Sequence, residues 1–130
     1  MDEKTLNKYL YHLKFIVISD AQTGNPIDIY FGFHLPNAHI EIFEEAKKQY
    51  ASMGKQIHVL GGGRISKKDK FIVFYSTSQR YKRFDNEIVL SLAPQHPYFI
   101  DGKYIFLAKA GEEDFYKVIE EYKNSLSKKH

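Results

Sequence analysis

"HVLGGGRIS", residues 58–66, sets three consecutive glycines and an arginine directly behind a short apolar run. Adjacent glycines cost the chain backbone entropy, so such a run belongs where the backbone must turn, pack or bind and a side chain would obstruct it. Two local readings follow. Gly61, Gly62 and Gly63 form a tight turn, or their N–H groups cradle a phosphate beside the Arg64 guanidinium. The run is not a Walker loop, because the lysine followed by Ser or Thr is missing, and it is not the dinucleotide pattern.

Strand signals flank the glycines in "QIHVL" (56–60) and "KFIVFYS" (70–76), separated by the glycines and the charged turn "SKKDK" (66–70). Upstream, "HLKFIVIS" (12–19) is apolar on both alternating faces, as in a strand covered on two sides, with Lys14 interrupting one of them. The turn "AQTGNP" (21–26) joins it to "IDIYFGFHL" (27–35), predicting a hairpin with Gly32 at a bulge. A helix is predicted from an N-cap at Asn37 to a stop at Gly54, with His39, Phe43, Ala46, Tyr50 and Met53 in the stripe that faces the sheet. A shorter helix follows from Asp85 to about Ala93, then a strand in "KYIFLAKA" (103–110). A last helix, about Glu112 to Ser125, carries Phe115, Val118, Ile119, Tyr122 and Leu126 at helical spacing. The order ββαββαβα, without repeat or linker, predicts an α+β protein with a mixed sheet, a single domain over residues 1–130.

Composition narrows the function. With no cysteine among 130 residues there is no disulfide framework, thiolate metal site or cysteine nucleophile, which fits a reducing compartment. The charged start "MDEKTLNKYL" and the lack of a long apolar run predict a cytoplasmic protein that neither enters nor crosses a membrane. A net charge of +3 is too mild to announce nucleic acid, but it suits a small anionic substrate drawn to a local basic patch.

Within the first turn of its helix, His39 meets the positive end of the macrodipole, which disfavours imidazolium and keeps the ring a base and nucleophile. Lys14 is a lone cation on an apolar strand, and either snorkels to water or meets an anion. "YSTSQRYKRF" (75–84) offers the hydroxyls of Ser76, Thr77 and Ser78, then Arg80, Lys82 and Arg83 interleaved with Tyr81 and Phe84. The first group suits phosphate oxygens; the second suits single-stranded nucleic acid. His12, His34, His58, His96 and His130 show no metal-ligand spacing or adjacent carboxylate and receive no role.

Taken together, a histidine opening a helix, the acidic turn "HIEIFEE" (39–45), "MG" at the helix end and "LGGGRIS" (60–66) resemble the Janus family. The resemblance covers about residues 12–108, strongest from His39 to Ser66, with "LKFIVI" (13–18) and "KFIVFYS" in the family's order. It implies a metal-independent phosphatase acting on phosphohistidine in proteins or on a small phosphoramidate, without a cofactor. His39 is then general base or nucleophile, Lys14 and Arg64 are phosphate-oxygen partners, and Ser76, Thr77 and Ser78 belong to the phosphate loop. Two departures stand out: Phe31 replaces a family arginine, and the loop after the fourth strand has a different composition. They motivate an alternative, a catalytically reduced phosphate or phosphoprotein binder. A nucleic-acid module built on Arg80, Lys82 and Arg83 is the less favoured third reading, and a monomer is expected.

Overall fold

The computed structural model describes residues 10–31, 38–78 and 80–107, and beyond them only Lys117 and Asn124, both helical and exposed. Gly32, Asn37 and the apolar stripe assigned to a C-terminal helix lie outside the described residues. The elements are β1 (Leu10–Asp20), β2 (Pro26–Phe31), α1 (His39–Ala51), β3 (Ile57–Lys68), β4 (Phe71–Tyr75), α2 (Asn86–Leu92), a 3-10 turn (Ala93–Gln95) and β5 (Lys103–Phe106). They form an α+β arrangement with one five-stranded sheet in the order β2-β1-β3-β4-β5. All neighbours are antiparallel except the parallel pair β4 and β5.

The glycines are not a turn. β3 runs through them without a break, and Gly61, Gly62 and Gly63 pair in register with Val17, Ile16 and Phe15 of β1. One register shift precedes them: Val17 faces Gly61 while Ile18 faces Val59, leaving Leu60 as the extra residue of a bulge. The turn comes later, at Asp69 and Lys70, where Asp69 takes a φ of 56°.

Alternation along β1 divides the core between the two faces of the sheet. Phe15 and Val17 join Ile65, Phe74, Phe84, Val89 and Phe99 on the side of α2, whereas Ile16 and Ile18 meet Ile42 and Ala46 of α1. Ring edges meet ring faces at the centre of the first cluster. Phe15 and Phe74 lie 5.8 Å apart at 74°, and Phe74 and Phe99 lie 5.5 Å apart at 76°, the arrangement that aligns ring edges with opposing π-faces.

The first helix departs from the sequence expectation at its N-cap and in the place of Met53, whereas its stop at Gly54 and the bounds of the second helix agree with it. The N-cap of α1 is Ala38, without a side-chain cap, so His39 is the first helical residue. The helix stops at Ala51 because Gly54, at a φ of 75°, turns the chain away, and the N–H groups of Gly54 and Lys55 bond back to the carbonyls of Ala51 and Tyr50. Met53 therefore lies past the last turn and is 61% exposed, while Ile42 takes the buried place in the stripe. α2 begins as expected at Asp85, whose Oδ1 accepts from the N–H groups of Glu87 and Ile88.

Candidate functional site

Lys14 of β1 stands directly opposite Arg64 of β3, and Arg64 stands opposite Tyr75 of β4. Lys14 alternates with Phe15 and therefore shares the face of Ile16, the face on which α1 lies. Two cations on one rung repel each other, so the pairing carries its full advantage when an anion lies between them.

α1 brings His39 to this rung. The residue is buried, 8% exposed, and Nε2 lies 3.1 Å from the Gly63 carbonyl oxygen. The close approach explains the glycines. A Cβ on Gly62 would lie 3.0 Å from Cδ2 of His39, 2.8 Å from the Phe15 carbonyl oxygen and 3.2 Å from Cβ of Ser78. On Gly63 it would come within 2.7 Å of the Phe84 ring and of the Tyr75 carbonyl, and on Gly61 within 2.9 Å of the Phe84 backbone. All three positions have ordinary φ values, so packing demands the glycines there and backbone conformation does not.

The segment after β4 closes the other side. Ser76 and Lys82 adopt φ values of 66° and 68°, a region unusual for residues with side chains, and they bracket the loop. Within it the Tyr81 N–H donates to Ser78 Oγ at 3.1 Å. The Gly62 N–H donates to the Lys82 carbonyl at 3.0 Å, and the Phe84 N–H to the Gly62 carbonyl at 3.2 Å, which fastens the loop's end to β3.

The result is an open cleft of about 440 Å³ lined by Lys14, His39, Arg64, Ser76, Thr77 and Arg80. The helix start at Ala38 and Ile40 completes the wall, so the positive dipole end of α1 borders the same space. Among the described residues no carboxylate lines the cleft.

The electrostatics select one form of the histidine. Burial is the main cause of a pKa below the usual 6.5; the hydrogen bond to Gly63 opposes it, and the charges of Lys14 and Arg64 reinforce it. A carbonyl oxygen only accepts, so in the neutral ring Nε2 carries the proton and Nδ1 carries the lone pair.

Of the residues singled out in the sequence, Lys14, His39, Arg64, Ser76 and Thr77 come together at the cleft, Gly62 and Gly63 underlie it, and Gly61 packs on Phe84. Ser78 is buried behind it and bonds within its own loop. Arg80 was grouped with Lys82 and Arg83, but the structure separates the three. Lys82 is exposed, and Arg83 donates to the Phe84 and Leu107 carbonyls and to Asn86 Oδ1 with its guanidinium over the Phe84 ring. Arg80 alone reaches the cleft, which no local sequence signal marks. Phe31 is outside it, stacked on His96 and tilted against Phe99.

His96 corrects another expectation, because a carboxylate does stand beside it. Its Nε2 donates to the Ile29 carbonyl at 2.9 Å and lies 3.8 Å from Asp28 Oδ1, while Nδ1 accepts from the Tyr98 N–H. Asp28 in turn accepts from the Tyr50 hydroxyl at 2.8 Å. Burial lowers the pKa of His96 and raises that of Asp28, each opposed by the other's charge. Every polar atom of the ring is engaged in holding the β2 edge, a structural assignment.

Among the described residues no three of His, Asp and Glu gather as metal ligands, and no helix is long and apolar enough to cross a membrane.

Fold and site together define an α+β protein with a cationic cleft built around a neutral histidine at the head of a helix. The chain belongs to the Janus/Ocnus family, whose model matches residues 1–99. The match takes in the cleft and α2, and ends before β5. Comparison with curated proteins gives no match.

Proposed function

We propose that this protein is a metal-independent phosphatase that hydrolyses the P–N bond of phosphohistidine in proteins, or of a related phosphoramidate. One observation carries the reading: a histidine in the cleft whose Nε2 is tied to a backbone carbonyl, which leaves Nδ1 as its basic atom, with the charges of Lys14 and Arg64 acting on the ring. A P–N bond departs readily once its nitrogen is protonated, so the protein's task is to place a base or nucleophile in line and neutralise the phosphoryl oxygens. Two routes use Nδ1. It takes a proton from water as the water oxygen bonds to phosphorus, the P–N electron pair passing to the leaving nitrogen, which is protonated. Alternatively its lone pair attacks phosphorus as the P–N pair departs with the substrate nitrogen, protonated from solvent, and water then cleaves the Nδ1–P bond to release phosphate and restore neutral His39. In both routes Lys14, Arg64 and the hydroxyls of Ser76 and Thr77 hold the oxygens. A cytoplasmic, monomeric protein fits this reading.

The test is phosphate release from phosphoramidate and from a phosphohistidine-bearing protein, with a chelator present, and an alkaline quench that preserves any phosphoryl group on His39. A second reading, a phosphate or phosphoprotein binder without turnover, is favoured by the placement of Phe31 in the aromatic cluster, which leaves that position without a cation for the cleft. Tight binding without release selects it.

Lys14→Ala and Arg64→Ala are expected to lower kcat/KM by roughly 10²–10³-fold each, the loss commonly seen when one of several groups stabilising transition-state charge is removed. Neither is expected to abolish turnover; steady-state kinetics on both variants decides this.

The pH profile has a defined sign. The neutral ring is the active form and its pKa lies below 6.5, so kcat/KM is level above that value and falls as pH drops through the depressed pKa. A bound phosphoryl dianion favours imidazolium, which moves the acid limb of kcat to higher pH than that of kcat/KM. Coincident limbs, or a rate that rises on acidification through this range, would count against His39 as the titrating group.

A further inference from the structure

The cleft is larger and more positive than a phosphoryl group alone requires. Lys14 and Arg64 are half-buried on one rung beside His39, which suits the two negative charges of a phosphoryl group. Arg80 is a third cation on the same wall, it is exposed where those two are not, and among the described residues no carboxylate lines the cleft beside it. The difference in exposure orders the site by depth, with the phosphoryl group innermost and its carrier at the rim.

Arg80 has a built support. The Tyr81 ring packs edge-on against Phe43 of α1 at 5.9 Å and 79°, and the Tyr81 N–H is held by Ser78 Oγ. The Arg80 guanidinium lies 5.9 Å from the centroid of that Tyr81 ring, a separation at which a cation is drawn to the ring face. The loop therefore holds the arginine beside the cleft through two contacts that its neighbours make.

We propose that Arg80 is a specificity residue that recognises a carboxylate on the phosphoryl group's carrier, so that the preferred ligand combines a phosphoryl group with a nearby acid. This rests on the phosphoryl reading of the cleft. The acid can come from the carrier's own carboxyl group or from an acidic residue next to it in a protein, and the chemistry at Arg80 is the same.

Binding probes that do not react test this independently of turnover. Wild-type protein is expected to bind phosphonoacetate about tenfold more tightly than methylphosphonate, one charge-assisted pair's worth of discrimination, and Arg80→Gln is expected to bring the ratio of the two dissociation constants close to unity. Competition against phosphonoacetate then locates the acid. A phosphohistidine peptide with Asp beside the modified residue outcompeting its Asn counterpart places it on a neighbouring residue; free phosphohistidine outcompeting its methyl ester places it on the carrier. Both effects are expected to vanish in Arg80→Gln. No preference in the wild type, or a preference that survives the substitution, overturns the proposal. Phosphate release from phosphoramidate, measured on the same samples, separates the two readings: preference without release defeats the phosphatase and leaves Arg80 as a recognition residue, whereas release without preference defeats only this inference.

Discussion

Replacing His39 by alanine is expected to lower phosphate release by roughly 10²–10⁴-fold, the contribution typical of a positioned general base, or to the uncatalysed background if Nδ1 is the nucleophile. The loss exceeds that for Lys14 or Arg64 because the charge around the phosphoryl group is shared among several partners, whereas the described lining offers no second histidine. Folding is expected to survive. The variant removes one hydrogen bond, to the Gly63 carbonyl, a change of about 0.5–1.5 kcal/mol, and vacates space at the edge of an open cleft where water enters. Circular dichroism and a denaturant melt check the fold, and the rate is read on the same preparation. A folded variant with near wild-type turnover would remove His39 from the reaction and leave only a family fold.

The second large effect concerns stability. Alanine at Gly63 puts a methyl group within 2.7 Å of two Phe84 ring carbons and of the Tyr75 carbonyl, inside a core where Phe84 is also pressed against Phe15. The ring cannot retreat without displacing Phe74 and Phe15, so the expected destabilisation is about 1–3 kcal/mol or more, as for overpacking generally. Gly62→Ala has a different signature. Its methyl group meets the backbone of β1 and the edge of the His39 ring, so it should lower activity disproportionately to its effect on the denaturant midpoint. A Gly63→Ala protein as stable as wild type would show that this close approach is not what the glycine serves.

These glycines also mark the limit of what local sequence conveys. β1, β2, α1 and α2 were legible because each announces itself within a few residues: an unbroken apolar run in "FIVI" (15–18), a turn at "TGNP" (23–26), a side-chain cap at Asp85. The glycine run left a turn and a phosphate cradle open, with the glycines expected to shape the backbone beside the site, because composition alone cannot distinguish a backbone that must bend from one that must be bare. The groups that require bareness, the rings of His39 and Phe84, come from 24 residues upstream and from beyond β4, respectively. The same reason hid Arg80, whose place at the cleft depends on Tyr81 meeting Phe43, a contact between a loop and a helix. His39, Lys14 and Arg64 stand apart as local signals and only the family resemblance joins them in the sequence; in the structure the strand register pairs Lys14 with Arg64, and α1 brings His39 to the Gly63 carbonyl beside them.

The hydrogen bond between His39 and Gly63 has one further consequence for the proposed reaction. A histidine backed by a carboxylate has a counter-charge behind it that stabilises imidazolium, as in the serine hydrolase triad. Here the group behind the ring is a neutral carbonyl, which orients Nε2 but contributes only a dipole, and the charges nearest the ring are positive. The carbonyl is a terminus for the proton, with no relay beyond it into the protein. Any proton that Nδ1 takes from the attacking water therefore leaves by the same atom, to solvent at the open face of the cleft, while the departing nitrogen, on the far side of phosphorus, draws its own proton from solvent. In the proposed reaction the ring is thus a one-door shuttle, loading and unloading its proton at Nδ1 without a relay through Nε2.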